Sequence, residues 1–168
     1  MARCIMDQEN IGRVEPDLYR SVMGKFATGI ALVTATDKGM AFGMAMNSLT
    51  SVSLDPCLLL VCPRRGSATG DAIRNAGAFA ISILASGQAD ICNRFVGKNA
   101  LRFDGLDLPT DLNCAPLIPG ALAQISCRVH AVYPGGDHEI VLGEVVDCRH
   151  DDGAPLIFHD GKFCQTAA

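Results

Sequence analysis

The first pattern along the chain is a helical stripe of apolar residues. Apolar side chains three and four positions apart share one face of a helix, and four residues are spaced in this way: Tyr19, Val22, Met23 and Phe26. The helix begins near Pro16, because proline suits a first turn and Asp17 suits the positive end of the helix dipole. We expect this apolar face to be buried.

From residue 30 onward the pattern changes to short apolar runs separated by turn residues. These runs predict strands at residues 30–36, 40–50, 58–62, 79–84, 121–133, 138–149, 156–159 and 162–165. Turns such as Asp37-Lys38-Gly39 and Asp160-Gly161 predict antiparallel hairpins. Short helices are predicted at residues 67–76 and 86–97. The fold class is therefore mainly β with a few short helices, and an antiparallel barrel would remove the exposed sheet edges by closing.

Polar side chains interrupt the second predicted strand. Five of them fall within a sequence that otherwise resembles a buried strand: Asn47, Ser48, Thr50, Ser51 and Ser53. Buried polar groups need hydrogen-bond partners, and a flat ligand with a polar edge would supply them. The alternative is that these side chains pair across the sheet or with their own backbone.

A second polar cluster precedes the helix that starts near Ser67. Arg64, Arg65, Ser67 and Thr69 combine two cations and two hydroxyls with the free N–H groups of a helix N-terminus. This combination suits a bound anion. An ordinary serine N-cap beside solvated arginines is the alternative.

Several segments follow one another in a specific order along the chain. They are residues 26–34, 44–56, 57–62, 77–84 and 136–145, with Arg94-Phe95 and Arg102-Phe103 between the last two. In this order they resemble the flavin reductase family of small FMN-binding domains, over nearly the whole chain. The resemblance implies an antiparallel split β-barrel that forms a single domain over residues 15–168, after a flexible N-terminal tail of residues 1–14.

The resemblance also implies roles for individual residues. It places the polar rim of the flavin ring along Asn47, Ser48, Leu49 and Thr50, and the flavin phosphate at Ser67 and Thr69. Arg102, in the loop after residue 97, could reach the same phosphate or the ribityl chain, and Lys98 is a weaker candidate for this contact. His138 matches the family histidine that faces the nicotinamide site, whereas a lone histidine there would instead be satisfied by local hydrogen bonds.

The implied reaction is hydride transfer from NADH or NADPH to FMN or FAD. The reduced flavin would pass to a partner monooxygenase, and the family is dimeric. Two alternatives stay open, namely a flavin-binding module without turnover and a reductase that acts on a metal complex such as a corrinoid or ferric chelate. A Rossmann site is excluded, because no two glycines are separated by one residue and the GxGxxG motif is absent.

Composition and charge indicate which kinds of partner to expect. The chain has 168 residues, of which 49% are hydrophobic and only 19% charged, so an apolar face is expected to meet a second copy in a homodimer. A net charge of -4 and the lack of a basic block argue against nucleic-acid and membrane partners.

The eight cysteines do not predict disulfides or metal binding. No secretory segment precedes them and no Cys-x-x-Cys pair occurs. We therefore expect a cytoplasmic protein with reduced thiols and no metal, in which Cys57, Cys62, Cys127 and Cys148 fill the core.

Overall fold

The structure is a computed structural model that describes residues 13–97 and 102–164. Lys98 and most of the predicted tail, residues 1–12, lie outside the described residues. The helices are α1 (Pro16–Met23), α2 (Ala68–Ala76) and α3 (Ala89–Arg94). The strands are β1 (Thr28–Gly29), β2 (Ala31–Asp37), β3 (Met40–Met46), β4 (Thr50–Leu54), β5 (Cys57–Val61), β6 (Ala78–Ile83), β7 (Ala123–Gly135), β8 (His138–His150), β9 (Ile157–His159) and β10 (Lys162–Cys164).

Strand pairing within the described chain is antiparallel throughout. Seven strands form one sheet in the order β3-β2-β6-β7-β8-β5-β4, and β1, β9 and β10 form a small second sheet. The prediction of a mainly β, antiparallel fold is confirmed. The described pairings do not close the large sheet into a barrel, since β3 and β4 are its two edges.

The connection between β3 and β4 differs from the prediction of one continuous strand over residues 40–50. β3 ends at Met46 and β4 begins at Thr50, so only residues 47–49 join opposite edges of a seven-stranded sheet. Four residue steps span at most about 14 Å, so the sheet must curl until its edges lie near each other. The polar run therefore lies at the opening of the curled sheet, and it is exposed or half-buried instead of buried.

Both faces of β2 are covered. Val33 packs in a core cluster with Phe79 and with Ile73 of α2, whereas Leu32 packs in a second cluster with Phe95. Successive side chains of a strand point to opposite faces. A strand that is covered on both sides accordingly has no alternation of apolar and polar residues, which explains the apolar run at residues 30–33.

The apolar face of α1 is exposed, so the prediction that it would be buried is wrong for this chain alone. The exposed fractions are 59% for Tyr19, 60% for Val22, 47% for Met23 and 70% for Phe26. The attachment of this region to the small sheet is polar: the Asp160 N–H donates to the Gly24 carbonyl at 2.8 Å, and Lys25 pairs with the Asp160 carboxylate at 2.9 Å. Periodicity identified the apolar face but could not identify what covers it.

Two of the four cysteines predicted in the core are exposed. Cys57 and Cys148 lie near strand ends, beyond the packed core, and Cys62 is half-buried. Cys127 is fully buried, and this burial raises the pKa of its thiol to about 12. The cysteines of the described chain are all free thiols.

Candidate functional site

The segment that joins β3 to β4 forms one wall of the site. Asn47 and Thr50 are exposed, and Ser48 and Leu49 are half-buried. The Ser48 hydroxyl oxygen accepts a hydrogen bond from the N–H of Cys62 at 3.1 Å. Because Cys62 directly follows β5, this bond attaches the segment to the chain that leads into α2.

The N-terminus of α2 forms the second part of the site. Ser67 caps the helix, and its hydroxyl oxygen accepts the N–H of Gly70 at 3.2 Å. A side chain at Gly70 would place its Cβ 2.9 Å from that oxygen and 3.3 Å from Cβ of Pro63, so glycine permits this close packing. Thr69 is 1% exposed, and its hydroxyl finds no hydrogen-bond partner within the described chain.

The turn before β8 lies against the segment that precedes α2. The N–H of Arg65 donates to the Asp137 carbonyl at 3.0 Å, and the N–H of Glu139 donates to the Pro63 carbonyl at 3.0 Å. Arg64 and His138 form an antiparallel bridge between these two hydrogen bonds. The structure therefore brings His138 next to the residues that lead to Ser67 and Thr69.

His138 retains a partly open side chain. It is 44% exposed, and its Nδ1 lies 2.8 Å from Oδ1 of Asp137. The hydrogen bond to His138 and its charge hold the pKa of the Asp137 carboxyl below its usual range, with a smaller contribution from Arg64. A local hydrogen bond of this kind was the alternative to a nicotinamide contact for a histidine at the start of a strand. The bond uses only Nδ1, so the other ring nitrogen is available to a ligand.

Arg102 lies outside the strands and contacts β3. Its guanidinium donates to the carbonyl of Gly43 at 2.8 Å and to the carbonyl of Gly97, while its Nε is buried without a partner in the described chain. Among the described residues, no hydrogen bond joins Arg102 to Ser67 or Thr69. Arg102 therefore holds the main chain of β3 in the described structure and retains one unpaired nitrogen. Lys98 lies outside the described residues.

Two cavities adjoin Asn47 and include residues that the sequence did not single out. One, of about 250 Å³, is lined by Thr28, Leu49 and the 26–31 segment, and the other, of about 600 Å³, lies between α3 and the β9–β10 hairpin. The hydroxyl of Thr28 is buried and unpaired in the described chain. The sequence feature that could have identified Thr28 is a hydroxyl within an apolar run. The same kind of feature identified residues 47–53.

The donor set fits a flavin nucleotide. A buried hydroxyl without a partner at a helix N-terminus suits a phosphate oxygen, and the amide and hydroxyls near Asn47 suit a ring with a polar edge. The described residues contain no group of three or more His, Cys, Asp or Glu placed to bind a metal. No helix of the described chain is long and apolar enough to cross a bilayer.

The antiparallel β fold places the N-terminus of α2, with its unpaired Thr69 hydroxyl, close to the strand that carries the partly open His138. This arrangement lacks the GxGxxG motif of a Rossmann domain. The model of the flavin reductase like domain matches residues 23–167, and the chain belongs to this family. The resemblance inferred from the sequence is confirmed.

Individual relatives and structures agree with this membership. FMN reductase (NADH) SmoA of Agrobacterium fabrum is 42% identical over 145 residues, which cover 86% of this chain and 83% of that protein. The flavin-dependent monooxygenase reductase subunit HsaB of Rhodococcus jostii is 34% identical over 151 residues, which cover 89% and 77%. The structure of Streptomyces globisporus NADH:FAD oxidoreductase SgcE6 with NAD and FAD fragments has a TM-score of 0.86 and 35% identity, covering 93% and 97%.

An ion pair between a partly exposed arginine and a largely buried glutamate joins α2 to β8. Arg74 in the last turn of α2 bonds both Asp71 on the same helix and Glu139 on β8. The Glu139 side chain is 11% exposed, and the guanidinium of Arg74 offsets part of the cost of removing its carboxylate from water. Glu139 directly follows His138, and the pair therefore joins the histidine strand to the helix that carries Thr69.

We predict that Arg74→Met destabilises the protein by about 1–3 kcal/mol, a value reduced from that of a fully buried pair because Arg74 is partly exposed. The single substitution leaves the Glu139 carboxylate uncompensated, whereas adding Glu139→Leu removes that charge and should recover most of the loss. Urea unfolding of the wild type, both single variants and the double variant measures this coupling. Arg20→Met, which breaks an exposed pair with Asp17, is the control and should change stability little. If the stability losses of the two single variants simply add up in the double variant, the proposed coupling is contradicted.

Proposed function

We propose that this chain is an NAD(P)H-dependent flavin reductase that supplies reduced FMN or FAD to a separate flavin-dependent monooxygenase. Family membership and relatives named as an NADH-dependent FMN reductase and as a monooxygenase reductase subunit support this activity. The predictions of an oxidoreductase with flavin and NADH as its ligands are confirmed by these relatives. The observation in this structure that carries the proposal is the buried, unpaired hydroxyl of Thr69 at the start of α2.

The proposed flavin lies across the opening of the curled sheet. Its ring contacts Asn47, Ser48, Leu49 and Thr50, and its phosphate binds Ser67 and Thr69. The Ser48 to Cys62 hydrogen bond supports this arrangement, because it fixes the distance between the two groups of residues. Lys98 stays a candidate for the phosphate. Arg102 contributes through its buried Nε or by positioning β3.

The chain's own task in the reaction is to position two rings. When bound, the flavin supplies the acceptor, N5, for a hydride that leaves C4 of the nicotinamide. No nucleophile or strong acid is required from the protein. His138 is proposed to contact the nicotinamide with the ring nitrogen that Asp137 does not engage, and the hydrogen bonds between residues 63–65 and 137–139 hold it at the flavin.

The proposed architecture is a single split-barrel domain over residues 15–168 that functions as a homodimer. The three-residue connection between opposite sheet edges supports the split barrel. The exposed apolar residues of α1 support the dimer, because an exposed face of this kind marks an interaction surface. The cytoplasmic location and the absence of a nucleic-acid partner stay predictions.

The test of the proposed function is NADH oxidation, followed by absorbance, with and without added FMN or FAD. We expect turnover only when a flavin is present, since the reduced flavin is released to a partner. Tight flavin binding without turnover would favour the binding module. Turnover that requires a corrinoid or a ferric chelate would favour the metal-complex reductase.

We predict that His138→Ala lowers kcat/KM for NAD(P)H by about ten- to thirtyfold, the loss of one contact worth roughly 1–2 kcal/mol. Flavin affinity should stay near the wild-type value, because the proposed contact is with nicotinamide. Stopped-flow reduction of bound flavin measures the effect on the hydride step alone. His130→Ala, at an exposed position of the same hairpin, is the matched control. A wild-type reduction rate in His138→Ala would remove this residue from the site.

We predict that the wild type has twice the 17.7 kDa mass of one chain in solution and that Val22→Asp shifts it toward the monomer. A buried, unpaired charge in an apolar interface is strongly unfavourable. Multi-angle light scattering at micromolar concentration gives the mass directly. Ser21→Asp adds the same charge on the same helix but outside the apolar stripe and should leave the dimer intact. A monomeric wild type would contradict the proposed dimer.

A further inference from the structure

Three buried side-chain atoms in the described chain have no hydrogen-bond partner: Oγ1 of Thr28, Oγ1 of Thr69 and Nε of Arg102. Buried polar groups are almost always paired, so each marks a place where something outside the described chain supplies the partner. The sequence had already identified Thr69 and Arg102 as candidate flavin contacts. Thr28 is the third member of this set and had no assigned role.

The position of Thr28 connects it with the proposed ring site. Thr28 is in β1, where it pairs with Phe158 of β9. It lines the cavity of about 250 Å³ together with Asn47 and Leu49, two of the proposed ring contacts. Asn47 is exposed, and no hydrogen bond of its side chain is formed within the described residues. The cavity is therefore bordered by two residues, Thr28 and Asn47, whose polar side chains have no partner in the described chain.

This cavity has the size and chemistry to hold only one part of a nucleotide-sized ligand. A whole nucleotide-sized ligand needs about 300–1,000 Å³, so this cavity suits only one end of it. Ile83 and Leu49 supply apolar walls for a ring face. The pyrimidine edge of a flavin presents both carbonyl oxygens and an N–H, which match a threonine hydroxyl that both donates and accepts.

We propose that the Thr28 hydroxyl binds the pyrimidine edge of the flavin ring, opposite Asn47. This inference rests on the proposed function, since it requires that the chain bind a flavin. It extends the flavin site from the β3–β4 connection onto β1. In the free protein the hydroxyl stays unpaired, so Thr28 lowers the stability of the free form. Its hydrogen bond contributes favourable free energy only when the flavin is bound.

The test is Thr28→Val, which removes the hydroxyl and keeps the shape. We expect the melting temperature of the flavin-free protein to rise by a few degrees, because a buried, unsatisfied group is removed. We expect Kd to increase about five- to thirtyfold for both FMN and riboflavin, since the lost contact is with the ring that they share. Thr28→Ser, which retains the hydroxyl, should restore most of the affinity.

Two further variants separate this role from others. Thr69→Val should weaken FMN and leave riboflavin binding unchanged, because riboflavin has no phosphate. Thr34→Val removes a buried hydroxyl that already donates to the Pro116 carbonyl at 2.6 Å. It should lower the melting temperature and leave both affinities unchanged.

Each other outcome overturns the proposal. Wild-type affinity of Thr28→Val for both flavins removes Thr28 from the site, and loss of FMN affinity alone places it at the phosphate. A lower melting temperature for flavin-free Thr28→Val shows that the hydroxyl is already paired in the free protein. In all these cases, flavin binding by the wild type would still support the proposed function, and only the role of Thr28 would be rejected. A wild type that binds neither flavin overturns both proposals.

Discussion

The join between β3 and β4 constrains the rest of the molecule. Residues 47–49 have to connect opposite edges of a seven-stranded sheet. A flat sheet of seven strands would separate its edges by about 28 Å, six spacings of about 4.7 Å, which three residues cannot span. The sheet therefore curls, the β7–β8 hairpin at its centre becomes the back of the curl, and an opening forms where the edges meet. The position of the site follows from this constraint, because the opening is where main-chain and hydroxyl groups remain available.

The site is assembled from distant parts of the sequence by a few specific bonds. Ser48 accepts from the N–H of Cys62, and the segment after Cys62 pairs with the turn that contains His138. Arg74 and Glu139 then fix α2 on β8. These contacts place hydroxyl groups, a helix N-terminus and a histidine around one opening. The protein positions the reactants, while the flavin and the nicotinamide supply the reactive atoms.

Most strands were predictable because their apolar runs and turn residues are local signals. The hairpin at Asp160-Gly161 and both long central strands were located to within about two residues, the usual uncertainty of element ends. The break after Met46 was not predictable, since residues 40–50 have strand composition throughout and only the tertiary curl interrupts them. Periodicity similarly could not reveal that the apolar face of α1 has no partner in its own chain.

In the candidate site, too, local features were predictable and long-range contacts were not. Ser67 is recognisable as a helix cap from its neighbours, and the polar run after Met46 is recognisable because it interrupts apolar sequence. The position of His138 beside Arg64 depends on long-range strand pairing, which the sequence did not predict. The family resemblance implied only that His138 faces the nicotinamide site. Thr28 was missed because one hydroxyl in an apolar strand usually finds a core partner, as Thr34 does with Pro116. Only coordinates distinguish the paired threonine from the unpaired one.

The two hydrogen bonds between residues 63–65 and 137–139 involve main-chain atoms only. These two bonds therefore do not depend on which side chains stand at positions 65 and 139, with proline as the clear exception because it has no N–H. The Glu139 side chain has a separate role in the ion pair with Arg74. Evolution can then alter most side chains of such a protein and preserve the geometry of its site. The 35% identity and 0.86 TM-score to the Streptomyces oxidoreductase match that expectation. In such a scaffold the distance between the helix and the histidine depends on main-chain bonds and not on particular side chains.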